Sequence, residues 1–461
     1  MNQEWDTEKV YSGTWWIPGA PNVSFVGELS FDRGAPSLQL QVPAYGQGHY
    51  AVGNGTPVVV GIIEGGHEVT LWDELGFVYM YLPHVSGDLW SYHRRKFSHA
   101  ILGKHVASYT DARFASSSVR YGGLADWSRL PDTTSQHPQA VMENFDNSGV
   151  KVTISIENPQ RLEEEEGYPY PVISAHSGQE VEVRFACDPP ASAKLHDLLH
   201  FDMQAFMTVI FQTSAQTLVE SFTLEDGVHT LGVACAHPSE KENPAKASAH
   251  SAVVLAANFD PSVVWPRWWL AIDALFPLTQ ILAMRFNSGG RIVEGSTSAA
   301  IAAAERVHEV LGSTHSRFTT KYLKGARKRL RASFAASEDS DYLAYLLENS
   351  HTVRPTLETK LTELFALLSA ESAEALGFTE EQWIVPTKAV RNKLAHSGSH
   401  VKRRGPDLDS QLDEVDEQTR AILTLVLLGY LDVPDDQIVV AAATLHNRLV
   451  QEGAFPAQPT Q

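Results

Sequence analysis

The chain has 461 residues, with 36 lysines and arginines against 55 aspartates and glutamates, a net charge of −19. That length holds about two to three domains, and the acid excess argues against a nucleic-acid-binding surface spread over the whole molecule. Apolar content of 43% with 20% charged residues excludes a disordered chain. The two cysteines, Cys187 and Cys235, are too few for a disulfide framework and fit a reducing cytosol. Met1 to Glu8 is polar and acidic, unlike a secretory leader. Ala421 to Leu431 is too short to span a bilayer, and Trp268 to Met284, which carries Asp273 and Pro277, reads as buried helix. A cytoplasmic protein with no membrane partner is therefore expected.

Residues 1–258 read as mainly β. Val23–Phe31, Pro57–Ile63, Val69–Trp72 and Val150–Ile156 are rich in β-branched and aromatic residues. Gly65-Gly66 and Asp226-Gly227 are hairpin dipeptides, and Val181–Phe185 alternates apolar with polar as a half-buried strand does. Glu163–Glu166 reads as a solvated loop. His196–Met207 reads as one helix among the strands, and the many short strands predict a sandwich or barrel-like domain in two lobes. His93, Arg94, Arg95 and Lys96 form a positive island, read equally as a ligand site or a plain strand face. Trp15 and Trp16 are assigned to the β core. His196 and His200, near Asp202, have i, i+4 ligand spacing but lack the glutamate of a zinc hydrolase helix, and are read as structural with no metal.

The character changes near Phe259. Residues 259–298 are read as a helical linker and 299–455 as an all-helical bundle, giving an α+β multidomain protein. Helices are predicted over Ala299–Leu311, Thr319–Phe334, Asp341–Leu347, Leu357–Leu368, Pro386–His396, Gln418–Leu431 and Asp436–Val450. Asn287–Thr297 and Gly398–Gln411 are the expected joints. From Pro261 to Gln461 there are 21 basic and 24 acidic residues, net −3, which leaves 15 and 31 for residues 1–260, net −16. The acidity thus belongs to the first part, while the second carries clustered cations. Lys321, Lys324, Lys328 and Arg331 recur on one helix face, with Arg327 and Arg329 beside them, and Lys402, Arg403 and Arg404 form a second tract. Either tract is a candidate for RNA phosphates or a solvated face.

Between these tracts lies Arg391-Asn392-Lys393-Leu394-Ala395-His396. Arginine is a permanent cation whose fork fits phosphate oxygens, and histidine exchanges protons near neutral pH. Together they suit cleavage of RNA, whose 2′-hydroxyl supplies the nucleophile. The helical part resembles a HEPN domain, an all-α bundle marked by Arg, a polar residue next, and His four to six positions after the Arg. Arg391, Asn392 and His396 match that pattern. Gly13-Thr14-Trp15-Trp16-Ile17-Pro18, followed by Gly27-Glu28-Leu29, resembles the opening of the ApeA N-terminal domain.

The resemblance implies an anti-phage, abortive-infection endoribonuclease that works as a homodimer or larger homo-oligomer without cofactor or metal. His396 would act as general acid or base, Arg391 would hold the scissile phosphate, and Asn392 would orient either one. Five residues turn an ideal helix by about 500°, leaving Arg391 and His396 about 140° apart, so fraying at the helix end or a second copy must bring them together. Glu305 is read as a surface residue, with contact to Arg391 as the alternative. RNA, with transfer RNA among the candidates, and a phage-derived trigger are the expected partners. The acidic N-terminal domain would gate the site or sense infection. The competing readings are a non-catalytic HEPN sensor or adaptor that dimerises and binds RNA or nucleotide, and a β-domain binding module with a helical oligomerisation tail.

Overall fold

The computed structural model describes residues 9–32, 35–43, 58–81, 90–106, 108, 111–128, 139–145, 148–157, 181–226, 230–235, 252–287, 293–312, 320–334, 342, 355–396 and 406–451. They fall into two compact units, Met1–Trp269 with Phe286–Gly290, and Leu270–Arg285 with Arg291–Gln461. The first is a β domain, and the helices that follow it make the chain an α+β protein.

Strands β1 (Tyr11–Trp16), β2 (Ser24–Asp32), β3 (Ala35–Pro43), β4 (Val58–Ile63), β5 (His67–Tyr81) and β6 (Trp90–Leu102) pair antiparallel in the order β3-β2-β1-β4-β5-β6. β6 then divides its second edge. Trp90–Lys96 pairs with β3 and closes a six-stranded barrel, while His99–Leu102 pairs with β12 (Thr230–Cys235). From there the sheet continues through β11 (Thr217–Leu224), β7 (Arg113–Tyr121), β10 (Glu182–Ser192), β9 (Val150–Glu157) and β8 (Gln139–Phe145). The two expected lobes are thus a barrel and its lateral extension, joined by one strand. The β4–β5 turn uses Gly65 and Gly66 at φ of +90° and +80°, values that favour glycine. Gly227 lies outside the described residues, as does Glu163–Glu166.

The barrel core gathers Trp15, Phe25, Leu29, Leu38, Leu40, Leu71 and Phe97. Trp15 is wholly buried and donates its indole N–H to the Gly27 carbonyl at 3.2 Å. A Cβ on Gly61 would stand 2.3 Å from the Trp15 ring, so glycine is required by the indole's close approach. Trp16 is only partly buried, on the second lobe's core. Residues on β6 alternate, and His93 and Arg95 turn inward and are buried, while Arg94 is half-buried and bonds Ser37 Oγ at 2.9 Å. The positive island is therefore split between interior and surface.

Helix α1 is Leu124–Ser128, and α2, Ala193–Phe211, lies against the second lobe, capped by Ser192. Next come α3 (Pro261–Ala274) and α4 (Leu278–Asn287). The single helix expected over Trp268–Met284 is thus two helices bent by 102°, because Pro277 cannot continue an α-helix. Among the described residues no single helix is long and apolar enough to cross a membrane.

The helices of the second unit continue with α5 (Val293–Leu311), α6 (Thr320–Phe334), α7 (Leu357–Phe365), α8 (Ala370–Leu376), α9 (Glu380–His396), α10 (Pro406–Tyr430) and α11 (Asp435–Gln451). The expected joints are shorter than predicted, since helix begins again at Val293 and at Pro406. The helix predicted over Asp341–Leu347 lies outside the described residues apart from Tyr342. Ile301, Val390, Leu412 and Val415 tie α5, α9 and α10 together in one core.

Candidate functional site

Helix α9 carries the Arg391–His396 motif, and its sequence explains how it is held. It starts at Glu380, six residues before the predicted start. Thr379 and Gln382 form a reciprocal capping box, with Thr379 N–H donating to Gln382 Oε1 at 2.7 Å and Gln382 N–H to Thr379 Oγ1 at 3.3 Å. Pro386 therefore stands inside the helix, where it leaves the Gln382 carbonyl without a helical donor. Burial on both sides of the proline holds the helix despite this. Trp383 packs beside Phe365, with ring centroids 6.3 Å apart, and donates to Thr419 Oγ1 at 3.0 Å. Thr387 and Val390 continue the buried line one and two turns on.

That line fixes the rotation of α9 and so decides what faces outward. Arg391, Asn392, Lys393 and Ala395 are exposed. Lys393 Nζ donates to Gln411 Oε1 on α10 at 3.0 Å. Val385, 58% exposed, Ala389 and Asn392 follow one another at helical spacing opposite the core line, and His396 is next in the series. On an ideal helix these four Cβ directions fall within about 60°. The helix stays regular through His396, its last residue, so Arg391 and His396 keep about 140° between their Cβ directions. The fraying expected from His396 toward Gly398 falls on residues outside the described part of the structure. The His396 side chain lies outside the described part of the structure, as do Lys402, Arg403 and Arg404.

Arg391 is half-exposed, and its Nε stands 4.0 Å from Glu305 Oε1 on α5. Glu305 is 29% exposed and accepts from the Lys360 ammonium of α7 at 3.1 Å through its other oxygen. Lys360 is buried and has Glu309 Oε1 at 3.7 Å as a second partner. The reading of Glu305 as a plain surface residue is therefore corrected, because it bridges the motif arginine to a buried lysine. On the same three helices, His308 pairs with Glu363 at 2.7 Å and Lys388 with Glu358 at 2.5 Å.

Helix α6 carries the first basic tract. Lys321, Lys324, Lys328, Arg329 and Arg331 are exposed, Arg327 is half-buried, and the helix has no acidic residue. Tyr322 and Leu330 are exposed apolar residues on its other side.

A second polar cluster lies in the β domain. Ser117 Oγ sits 2.7 Å from His196 Nδ1 and 2.8 Å from His200 Nε2, and His200 Nδ1 is 3.6 Å from Glu220. All four residues are buried, and Tyr121 donates its hydroxyl to the His200 carbonyl. Burial first, and His200 second, push His196 down to about 4, so its ring is neutral. The two histidines thus use their ring nitrogens to tie α2 to β7. Cys187 is buried, which raises its thiol to about 12 and makes it inert.

A barrel-and-sheet β domain with a helical unit after it defines a two-part α+β protein. The family model for ApeA N-terminal domain 1 matches residues 10–244, a span that includes the Gly13–Pro18 and Gly27–Leu29 segments. The chain belongs to that family, and its membership supports a role in anti-phage defence. No curated protein and no solved structure matches it.

Proposed function

We propose that this defence protein is an abortive-infection endoribonuclease whose helical unit is a HEPN domain. The observation that carries the reading is the end of α9. There the exposed Arg391 and Asn392 and the terminal His396 stand on a helix held rigidly by Trp383, Thr387 and Val390. In this mechanism the RNA 2′-hydroxyl attacks the adjacent phosphorus and the 5′-oxygen departs. His396 takes the hydroxyl proton or protonates the leaving oxygen. Arg391 offsets the charge developing on the phosphate, and Asn392 orients the phosphate or the imidazole by hydrogen bonding. The substrate brings its own nucleophile, so the step runs without a metal and leaves a 2′,3′-cyclic phosphate and a 5′-hydroxyl.

One chain's Arg391 and His396 diverge by about 140°, which supports a site completed by a second copy. The exposed Val385–Ala389–Asn392 stripe, ending at His396, supports an isologous pairing along α9. RNA held by α6 and by Lys402, Arg403 and Arg404, a phage-derived trigger, a cytoplasmic location and restraint by the acidic N-terminal domain complete the proposal.

The test is cleavage of RNA by the purified full chain in EDTA. His396→Ala should lower the rate by about 10²–10⁴, the usual weight of a general acid or base, and Arg391→Ala should also impair cleavage. Equal rates for wild type and His396→Ala overturn the reading.

A further inference from the structure

Resting on that reading, we infer that Glu305 is a positioning residue that holds Arg391 by its Nε edge and so turns the guanidinium's outer fork toward the RNA phosphate. The geometry has three parts. Glu305 Oε2 is fixed by Lys360 Nζ at 3.1 Å, and Lys360 is itself buried and also faces Glu309 at 3.7 Å. A carboxylate anchored by a buried ammonium has little freedom to turn. Its remaining oxygen, Oε1, faces Arg391 at 4.0 Å through Nε, not through the terminal nitrogens. Among the described residues this is the ion pair shown for Arg391, and it engages Nε, while Nη1 and Nη2 together form an edge that can bind a phosphate in bidentate fashion.

The alternative role for Glu305 is an electrostatic plug that competes with phosphate for the arginine. Two features weigh against it. The contact runs through Nε, so the carboxylate does not occupy the terminal nitrogens that would meet a phosphate end-on. In addition, the carboxylate's charge is already offset by Lys360. Orientation is then what the contact mainly supplies.

The two roles predict opposite signs, which makes the test sharp. A short fluorescent single-stranded RNA is titrated with full-length His396→Ala protein, which binds without cutting. Positioning predicts that adding Glu305→Gln weakens binding about threefold to fivefold, the scale of one half-exposed ion pair. It predicts no change when Glu305→Gln is added to an Arg391→Ala, His396→Ala protein, and partial recovery with Glu305→Asp. A plug, or simple loss of negative charge near RNA, predicts tighter binding, and that result overturns the inference. Equal weakening with and without Arg391 also overturns it, because Glu305 then acts through the fold alone. Thermal melting of each variant identifies any that lose the fold. If Arg391→Ala itself leaves RNA binding and cleavage intact, the nuclease reading fails first, and the experiment separates that outcome from failure of the Glu305 assignment.

Discussion

At the scale of single residues, the α9 motif and the histidine cluster of the β domain differ in their access to solvent. Arg391 and Asn392 stand in solvent, where a substrate can reach them, while His196, His200, Ser117 and Glu220 are sealed inside. The sealed cluster has a measurable consequence. His196 has a folded pKa near 4, whereas an unfolded histidine titrates at about 6.5. The unfolded chain takes up the proton first, so the contribution is complete above about pH 6.5 and is lost as the pH falls toward 4. The full loss is on the order of 3 kcal/mol. The melting temperature should drop between pH 7 and pH 4.5, and a His196→Gln protein that still folds should show a flatter profile. A wild-type melting temperature independent of pH over that range contradicts the assignment. At neutral pH, Cys187 should resist alkylation in the folded protein and react once denaturant is added.

At the scale of elements, the signals that decide each helix differ in how well they read from sequence. The motif helix was recognisable from Pro386 near its expected start and Gly398 just past its end, but its true start was not. Pro386 looks like a first helical residue, and the Thr379–Gln382 capping box, which starts the helix at Glu380, is the stronger start signal. Thr379→Ala should cost about 1 kcal/mol in a denaturant melt. The Glu305 contact with Arg391 was legible only as an alternative, because no local pattern brings residues 305 and 391 together. Only the α5–α9 packing, fixed by Ile301 and Val390, does so. Likewise, Trp15 was readable as core, but the need for Gly61 depends on the pairing of β1 with β4. Gly61→Val should be strongly destabilising, by about 1–3 kcal/mol or more, because its side chain would overlap the indole. For α6, replacing Lys321, Lys324, Lys328 and Arg331 with glutamine should lower the salt dependence of RNA binding by up to about three units of log–log slope. An unchanged slope removes the helix from the RNA surface.

At the scale of the whole molecule, the β half was predictable as a class but not as a topology. The strand-rich segments follow from β-branched and aromatic runs, yet nothing local indicates that β6 splits its edge between β3 and β12. That division lets one strand serve both a closed barrel and an open sheet. The charge split of −16 over residues 1–260 and −3 over the rest follows from counting alone, and it motivates restraint of the helical unit by the acidic half. Removing residues 1–258 should then raise RNA cleavage per mole of folded fragment. The central claim, RNA cleavage at the end of α9, is tested most directly by end-group analysis of total RNA from cells expressing the full chain. The account predicts new fragments with 5′-hydroxyl and 2′,3′-cyclic phosphate ends, present with wild type and absent with Arg391→Ala and His396→Ala. Fragments bearing 5′-phosphates, or identical RNA from wild-type and His396→Ala cells, would contradict it.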